Sequence, residues 1–303
     1  LSMRTIRLSH GSAPVVPPAF AWEEHTTTLQ TPHYTLHWKD SVLESLFDRD
    51  NSREVLDGPG NLLRLYEDKP LNYDAWDIDI FYTEKSRVMP CLEPPRLVEN
   101  GPLRAVVYPV YGTGASRVEQ RVVVWRHSRR IDFETVVDWH EEHRLLKAEF
   151  PVAVRSTRAT YDIQFGYVER PTHANTSWDM ARFEVVGHKW ADLSDAEYGV
   201  SLLNNCKYGY SVQGRKMTLS LLRSPTNPDE TADRGEHRFT YALLPHAGTV
   251  VQADTIEEAE RLNRPLQVTA GRVYQGSDIF WTDSNGILVD AIKKAEDDDC
   301  LRF

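Results

Sequence analysis

Two runs rich in β-branched residues, Val118 to Trp125 and Ile131 to Val137, alternate apolar and polar side chains. They are joined through His127-Ser128-Arg129-Arg130. A helix brings residues three and four apart onto one face, whereas a strand does so with every second residue. The pattern therefore reads as a β-hairpin. Runs of the same kind recur from Gln30 to Trp38, Val42 to Phe47, Arg53 to Leu56, Asn61 to Tyr66 and Arg104 to Tyr111. They continue at Leu145 to Val154, Thr160 to Val168, Phe183 to Val186, Tyr198 to Leu203, Met217 to Leu222 and Phe239 to Leu244. Turn formers separate them, as in Asp48-Arg49-Asp50-Asn51-Ser52, Gly58-Pro59-Gly60 and the segment holding Pro90, Pro94 and Pro95. Many short strands with little helix predict an all-β fold, a large antiparallel β-sandwich with at most one or two short helices.

The one clear helix signal is Thr255-Ile256-Glu257-Glu258, read as a capping box, followed by Ala259 to Leu262 and closed by Pro265. Beyond it, Leu266 to Val268 and Ile279 to Trp281 read as strands, and Ile287 to Ala291 fits either helix or strand. Asp297-Asp298-Asp299 reads as a turn before a final strand starting at Cys300. Residues 1 to 25, with Pro14, Pro17 and Pro18, read as a linker or the end of a preceding domain.

Length and charge narrow the function. A chain of 303 residues can bury a full core as one large β domain or two smaller ones. Its formal charge of -10 is spread along the chain, which argues against nucleic acid and anionic membrane as partners. No apolar run reaches the length of a membrane span, and the first residues do not read as a signal peptide. Cys91, Cys206 and Cys300 are odd in number and widely spaced, as expected in a reducing cytosol.

Four groups of residues could carry chemistry. Asp74, Asp77 and Asp79 surround Trp76 in an acidic loop. Carboxylates beside an indole suit a sugar, which has apolar C–H faces and a rim of hydroxyls. The plainer reading is a solvated loop with turn-capping aspartates and a core Trp. After an apolar strand come Asn204, Asn205, Lys207, Tyr208 and Tyr210, with Gly209 permitting a tight turn, and Lys207 could equally be a surface lysine. His173, Asn175, Trp178 and Asp179, then His188, Trp190 and Asp192, raise a metal site, but no His pair has helical i, i+4 spacing and structural hydrogen bonding fits better. His237 and His246 raise an acid/base pair, and Ser224 lacks the context of a nucleophilic serine.

Several blocks, taken together, resemble one family. They are Leu65-Tyr66-Glu67-Asp68-Lys69-Pro70, Tyr73 to Asp79, Phe165 to Asp179, His188 to Leu193, Leu203 to Tyr210, Leu222 to Pro225 and Phe239 to His246. In this order they resemble the C-terminal β-domain of glycoside hydrolase family 38 α-mannosidases of the bacterial and cytosolic type. The resemblance implies a galactose-mutarotase-like supersandwich over residues 26–303, without its last strands and without the catalytic domain that precedes it in the family. It implies part of a retaining, zinc-dependent α-mannosidase hydrolysing terminal α-mannosides in glycans, in the cytoplasm. The zinc, the nucleophile and the acid/base would lie in that other domain, leaving no catalytic residue, metal or cofactor here.

The implied role is to scaffold the catalytic domain and line its sugar site. The implied substrate-binding residues are Asp74, Trp76, Asp77, Asn204, Lys207 and Tyr208. Some relatives place an Arg in the second loop, where this chain has Lys207, a point charge without a planar fork. Implied partners are a mannose-containing oligosaccharide and the N-terminal catalytic domain of the same protein, with a homo-oligomer left open. The alternatives are a stand-alone carbohydrate-binding module and an aldose mutarotase-like protein, which would use His237 and His246.

Overall fold

The computed structural model describes residues 19–268, together with Pro17, residues 270–271, 289 and 291–302. These divide into two compact units, the main one ending at Leu266. It opens with a meander of β1 (Ala21–Glu23), β2 (Thr28–Gln30), β3 (Tyr34–Lys39), β4 (Val42–Asp48) and β5 (Arg53–Glu54). Next come β6 (Leu62–Glu67), a 3-10 turn at Ile80–Glu84, β7 (Ser86–Val88), β8 (Cys91–Glu93) and β9 (Leu97–Asn100). They are followed by β10 (Arg104–Val107), β11 (Val110–Thr113) and the long hairpin of β12 (Ser116–Trp125) and β13 (Ile131–Trp139).

β14 (Arg144–Pro151), β15 (Arg158–Ile163), β16 (Gly166–Pro171), the short helix α1 (Ser177–Met180) and β17 (Val185–Val186) lead to β18 (Trp190–Ser194) and β19 (Tyr198–Asn204). β20 (Gly209–Gln213), β21 (Lys216–Arg223), β22 (Gly235–Ala247) and α2 (Thr255–Asn263) complete this unit. The second unit holds β23 (Lys293–Lys294) paired with β24 (Leu301–Arg302).

Two antiparallel sheets form the sandwich. The larger has the order β16-β15-β18-β19-β22-β13-β12-β10-β9, with β11 joining β12 to β8. The smaller runs β17-β20-β21-β14-β6-β7. Aromatic side chains from both sheets fill the space between. Phe133 stacks on Tyr241 at 5.1 Å, and Phe150 from the smaller sheet meets Phe133 at 5.5 Å. The Tyr241 hydroxyl donates to Asn61 Oδ1 (2.6 Å) and accepts from Gln120 Nε2 (2.9 Å), so a buried polar group in this core is satisfied.

The expected all-β sandwich with few helices is present, and several local expectations change. Thr160 to Val168 is not one strand but the hairpin β15–β16, turning at Phe165, whose φ is 60°. The strands β18 and β20 have no counterpart in the sequence reading. β18 is buried on both faces and so shows no alternation. Gly209 opens β20 instead of making a turn, and a Cβ there would lie 3.0 Å from Ser220 Cβ, so close strand packing explains the glycine.

Helix α2 forms as expected, but its N-cap is Asp254, with no side-chain cap. Thr255 is the first helical residue, and its hydroxyl is 2.8 Å from Ser201 Oγ beneath the helix. The capping box belongs to α1, where Thr176 and Asp179 bond reciprocally. Leu266 to Val268 is not a strand, since Leu266 and Val268 stand exposed outside regular structure. Ile279 to Trp281 and most of Ile287 to Ala291 lie outside the described residues.

One glycine makes a direct test of the packing. Gly199 in β19 lies opposite His246 in β22, and a Cβ there would sit 2.3 Å from His246 Cε1 and 2.6 Å from Ser194 Cβ. We expect Gly199→Ala to cost about 1–3 kcal/mol as overpacking, read from the urea midpoint. An unchanged midpoint would show that the imidazole has room to move.

Candidate functional site

The segment from Asp68 to Asp79, following β6, is an ordered excursion without regular structure. Trp76 and Asp77 donate their N–H groups to the Tyr73 carbonyl at 2.8 and 2.9 Å, with Tyr73 at φ 51°. The Asp79 carboxylate accepts from the Leu71 N–H (2.7 Å). The Asp74 carboxylate accepts from the N–H groups of Thr226 (2.7 Å) and Asn227 (3.2 Å) and faces His143 Nδ1 at 3.6 Å. Asp74 and Asp79 thus brace the loop, as the plainer reading expects. Trp76 does the opposite of a core residue. It is 76% exposed, and Leu71, Tyr73 and Phe81 are exposed with it. The Asp77 side chain is open to solvent, while its carbonyl accepts from Arg223 Nη2 (2.8 Å).

The second set follows β19. Asn204 is buried, and its amide is fully used. Nδ2 donates to the His188 carbonyl (2.8 Å) and to Tyr210 OH (2.5 Å), while Oδ1 accepts from the Lys207 N–H (2.6 Å). It shapes the loop and presents nothing to solvent. Lys207 places Nζ 4.5 Å from the centre of the Phe239 ring, a cation–π contact. Burial pulls its pKa down from the ordinary lysine value, against the opposing charges of Cys206 and Asp233. Tyr208 is exposed and meets the His188 ring edge-on at 5.9 Å. Among the described residues, no hydrogen bond or ion pair links this set to the acidic loop.

The outward face of the larger sheet forms an open cleft of about 370 Å³. Tyr108, Glu119, Arg121, Glu134, Asn205 and Phe239 contribute to its lining. Its charges are paired, Arg121 across strands and Glu119 and Arg238 along their own strands. Arg121 Nε meets Glu134 Oε2 at 3.1 Å, and the Tyr108 hydroxyl donates to Glu119 (2.6 Å), holding that carboxyl below its usual range. The sequence reading singles out Asn205, and Phe239 within a resemblance block, but not Tyr108, Glu119, Arg121 or Glu134. Their only signal was charge at alternating positions on β12 and β13, which any solvated sheet face also shows.

The remaining candidates are structural. Asp179 completes the α1 capping box with His173 Nδ1 3.5 Å away, and Trp178 is exposed. Asp192 is buried beneath α2 and accepts from Ser201 (2.7 Å) and Ser194 (2.7 Å), with His246 Nε2 at 2.8 Å. Ser224 accepts from Trp139 Nε1 at 2.7 Å in the interior. His237 and His246 both lie on β22, nine residues apart and on opposite faces. At about 3.3 Å per residue that is roughly 30 Å, too far for a shared acid/base site. Among the described residues, no cluster of three or more His, Cys, Asp or Glu side chains could hold a metal ion. No described helix is long and apolar enough to cross a membrane.

Comparison with known proteins gives this architecture a context. The model of the glycosyl hydrolases family 38 C-terminal domain matches residues 29–231. Alpha-mannosidase G of Dictyostelium discoideum is 46% identical over 270 residues, which cover 84% of this chain and 25% of that protein. Alpha-mannosidase 2C1 of Homo sapiens is 43% identical over 242 residues, covering 78% of this chain and 23% of that protein. The chain therefore spans about a quarter of the length of these relatives. A crystal structure of a glycosyl hydrolase family 38 protein from Enterococcus faecalis superimposes with a TM-score of 0.76 at 14% identity, covering 96% of this chain and 39% of that one. At that identity the likeness speaks for the fold. The sequence match and the shared sandwich lead to one conclusion: this chain belongs to glycosyl hydrolase family 38, as a C-terminal domain of the α-mannosidase type.

Proposed function

We propose that this chain is the C-terminal sandwich of a retaining, zinc-dependent α-mannosidase of the cytoplasm, which removes terminal α-mannosides from glycans. Its part is to scaffold the N-terminal catalytic domain and to form one wall of the sugar site. The observation that carries the reading is the family match over residues 29–231, in a chain that spans only about a quarter of its α-mannosidase relatives. The described residues supply no donor set for zinc. In this proposal the metal and both catalytic carboxylates belong to the other domain.

Within the wall, Trp76 offers an exposed aromatic face for the C–H side of a mannose ring, and Asp77 an unpaired rim acceptor. Asp74 and Asn204 act by holding their loops in shape, while Lys207 and Tyr208 stand at the neighbouring wall. The test is hydrolysis of an aryl α-mannoside by the purified chain, with zinc or cobalt supplied and a full-length relative as control. We expect no turnover beside an active control. Metal-dependent turnover by the chain alone would overturn the proposal.

The exposed Trp76 and Tyr73 favour one second reading, a sugar-binding module that works alone. Millimolar or tighter mannose affinity of the isolated chain, lost in Trp76→Ala, would support it.

A further inference from the structure

The acidic loop carries the exposed Trp76, and one side chain from a distant strand bonds that loop at three points. Arg223 ends β21, and its guanidinium reaches three points of the excursion. Nε donates to Asp68 Oδ2 (2.6 Å), and Nη2 to the carbonyls of Asp74 (3.2 Å) and Asp77 (2.8 Å). The two carbonyls flank Trp76 in sequence, so the backbone bearing the indole is fixed from both sides. Asp68 is 2% exposed, and its Oδ1 takes no hydrogen bond, which leaves Arg223 as the ion-pair partner of a buried carboxylate. The planar fork spreads the three contacts over two nitrogens held in fixed geometry, whereas an ammonium would have to make them from a single point. Loss of the fork would loosen the loop without releasing it, because Asp74 still bonds Thr226 and Asn227.

We propose that Arg223 is a positioning residue for the sugar wall: it clamps the Asp68–Asp79 loop and thereby aims Trp76 at the substrate. The inference rests on the proposed function, in which that loop meets the sugar. Small displacements of a positioned group can lower reaction rates on the order of 10- to 100-fold even when the chemistry is untouched.

Arg223→Lys is the variant to make, since it keeps a cation beside Asp68. Two measurements are needed: amide hydrogen exchange over residues 70–79 in this chain, and aryl α-mannoside kinetics in the intact enzyme for Arg223→Lys, Trp76→Ala and the double variant. We expect exchange in the loop to quicken while the core strands stay protected. We also expect kcat/KM to fall roughly tenfold in each single variant, with no further loss in the double variant. That non-additivity separates positioning from general destabilisation, which would add to the loss of Trp76. Unchanged exchange would overturn the clamp, and additive losses would overturn the action through Trp76. If Trp76→Ala leaves kcat/KM intact, the sugar-wall reading falls and the positioning claim falls with it. The exchange data would still say separately whether Arg223 holds the loop.

Discussion

Replacing Asp48 with Ala is expected to lower the unfolding free energy by about 3–5 kcal/mol, the usual cost of removing one partner from a buried ion pair. Asp48 is fully buried at the end of β4, where the small meander meets the main sandwich. Its Oδ2 accepts from Arg129 Nη2 (2.5 Å), Tyr198 OH (2.7 Å) and Asn51 Nδ2 (2.9 Å). Its Oδ1 accepts from the backbone N–H groups of Asp50 and Asn51, both at 3.1 Å. The carboxylate thus joins three parts of the fold: its own turn, the β12–β13 link and β19. Alanine would leave donors from all three facing a void.

The same group sets a pH dependence. Burial pushes the Asp48 pKa up, but the hydrogen bonds from Arg129, Tyr198 and Asn51 outweigh it and hold the carboxyl below the ordinary aspartate value. With the folded pKa depressed, its contribution is fully present above the unfolded value of about 3.9 and fades as pH falls through the folded one. Urea titrations at pH 7 and across the acid range should show Asp48→Ala less stable at neutrality, with a shallower acid limb. A loss below about 1 kcal/mol, typical of an exposed pair, would mean that solvent already screens this site.

A second large effect is expected at Lys147, which is buried on the outer side of the smaller sheet. Its ammonium touches the Glu184 carboxylate and donates to Tyr82 OH (3.2 Å). Tyr82 OH and Ser220 OH also donate to Glu184 Oε1, at 3.0 and 3.3 Å. Nearby Glu149 has cations of its own, with Arg64 Nε at 2.8 Å. Lys147→Met therefore strands the charge of Glu184 specifically, at a cost of about 3–5 kcal/mol. Lys147→Met/Glu184→Gln should recover most of it, because Gln still accepts from both hydroxyls and carries no charge. Chemical denaturation of the two singles and the double forms the cycle. If the double variant is as unstable as the sum of the singles, packing of the lysine stem and not its charge is what this region depends on.

How much of this was legible beforehand depends on what each residue faces. The hairpin Val118 to Val137 was readable because β12 and β13 each show one face to the core and one to water. β18 was not, because both of its faces are covered and the alternation vanishes. Phe165 hid a turn, since an aromatic at positive φ gives none of the usual Gly or Asn signal. At the candidate site, residue types were readable and roles were not. Asn204 is as polar as any sugar ligand, yet it is consumed inside its own loop. Arg223 stood in the Leu222 to Pro225 block, but its role as a clamp was hidden, because its three acceptors lie some 150 positions away along the chain. Trp76 could have been core or surface, and only the fold of the excursion decides between them.

The sheet order also dictates when this domain can come into being during synthesis. β13 needs β22 as its second neighbour, with Ile131 paired to Leu243, and β6 needs β14, with Leu65 paired to Leu146. On a ribosome adding about 5–20 residues per second, the centre of the larger sheet would wait roughly 5–20 s for its closing strand. Through that interval β13 presents an unpaired, largely apolar edge, the kind of surface on which nascent chains aggregate. The charged outward residues of its hairpin, Arg121 and Glu134 among them, are well placed to keep that half-built sheet apart from its neighbours on a polysome.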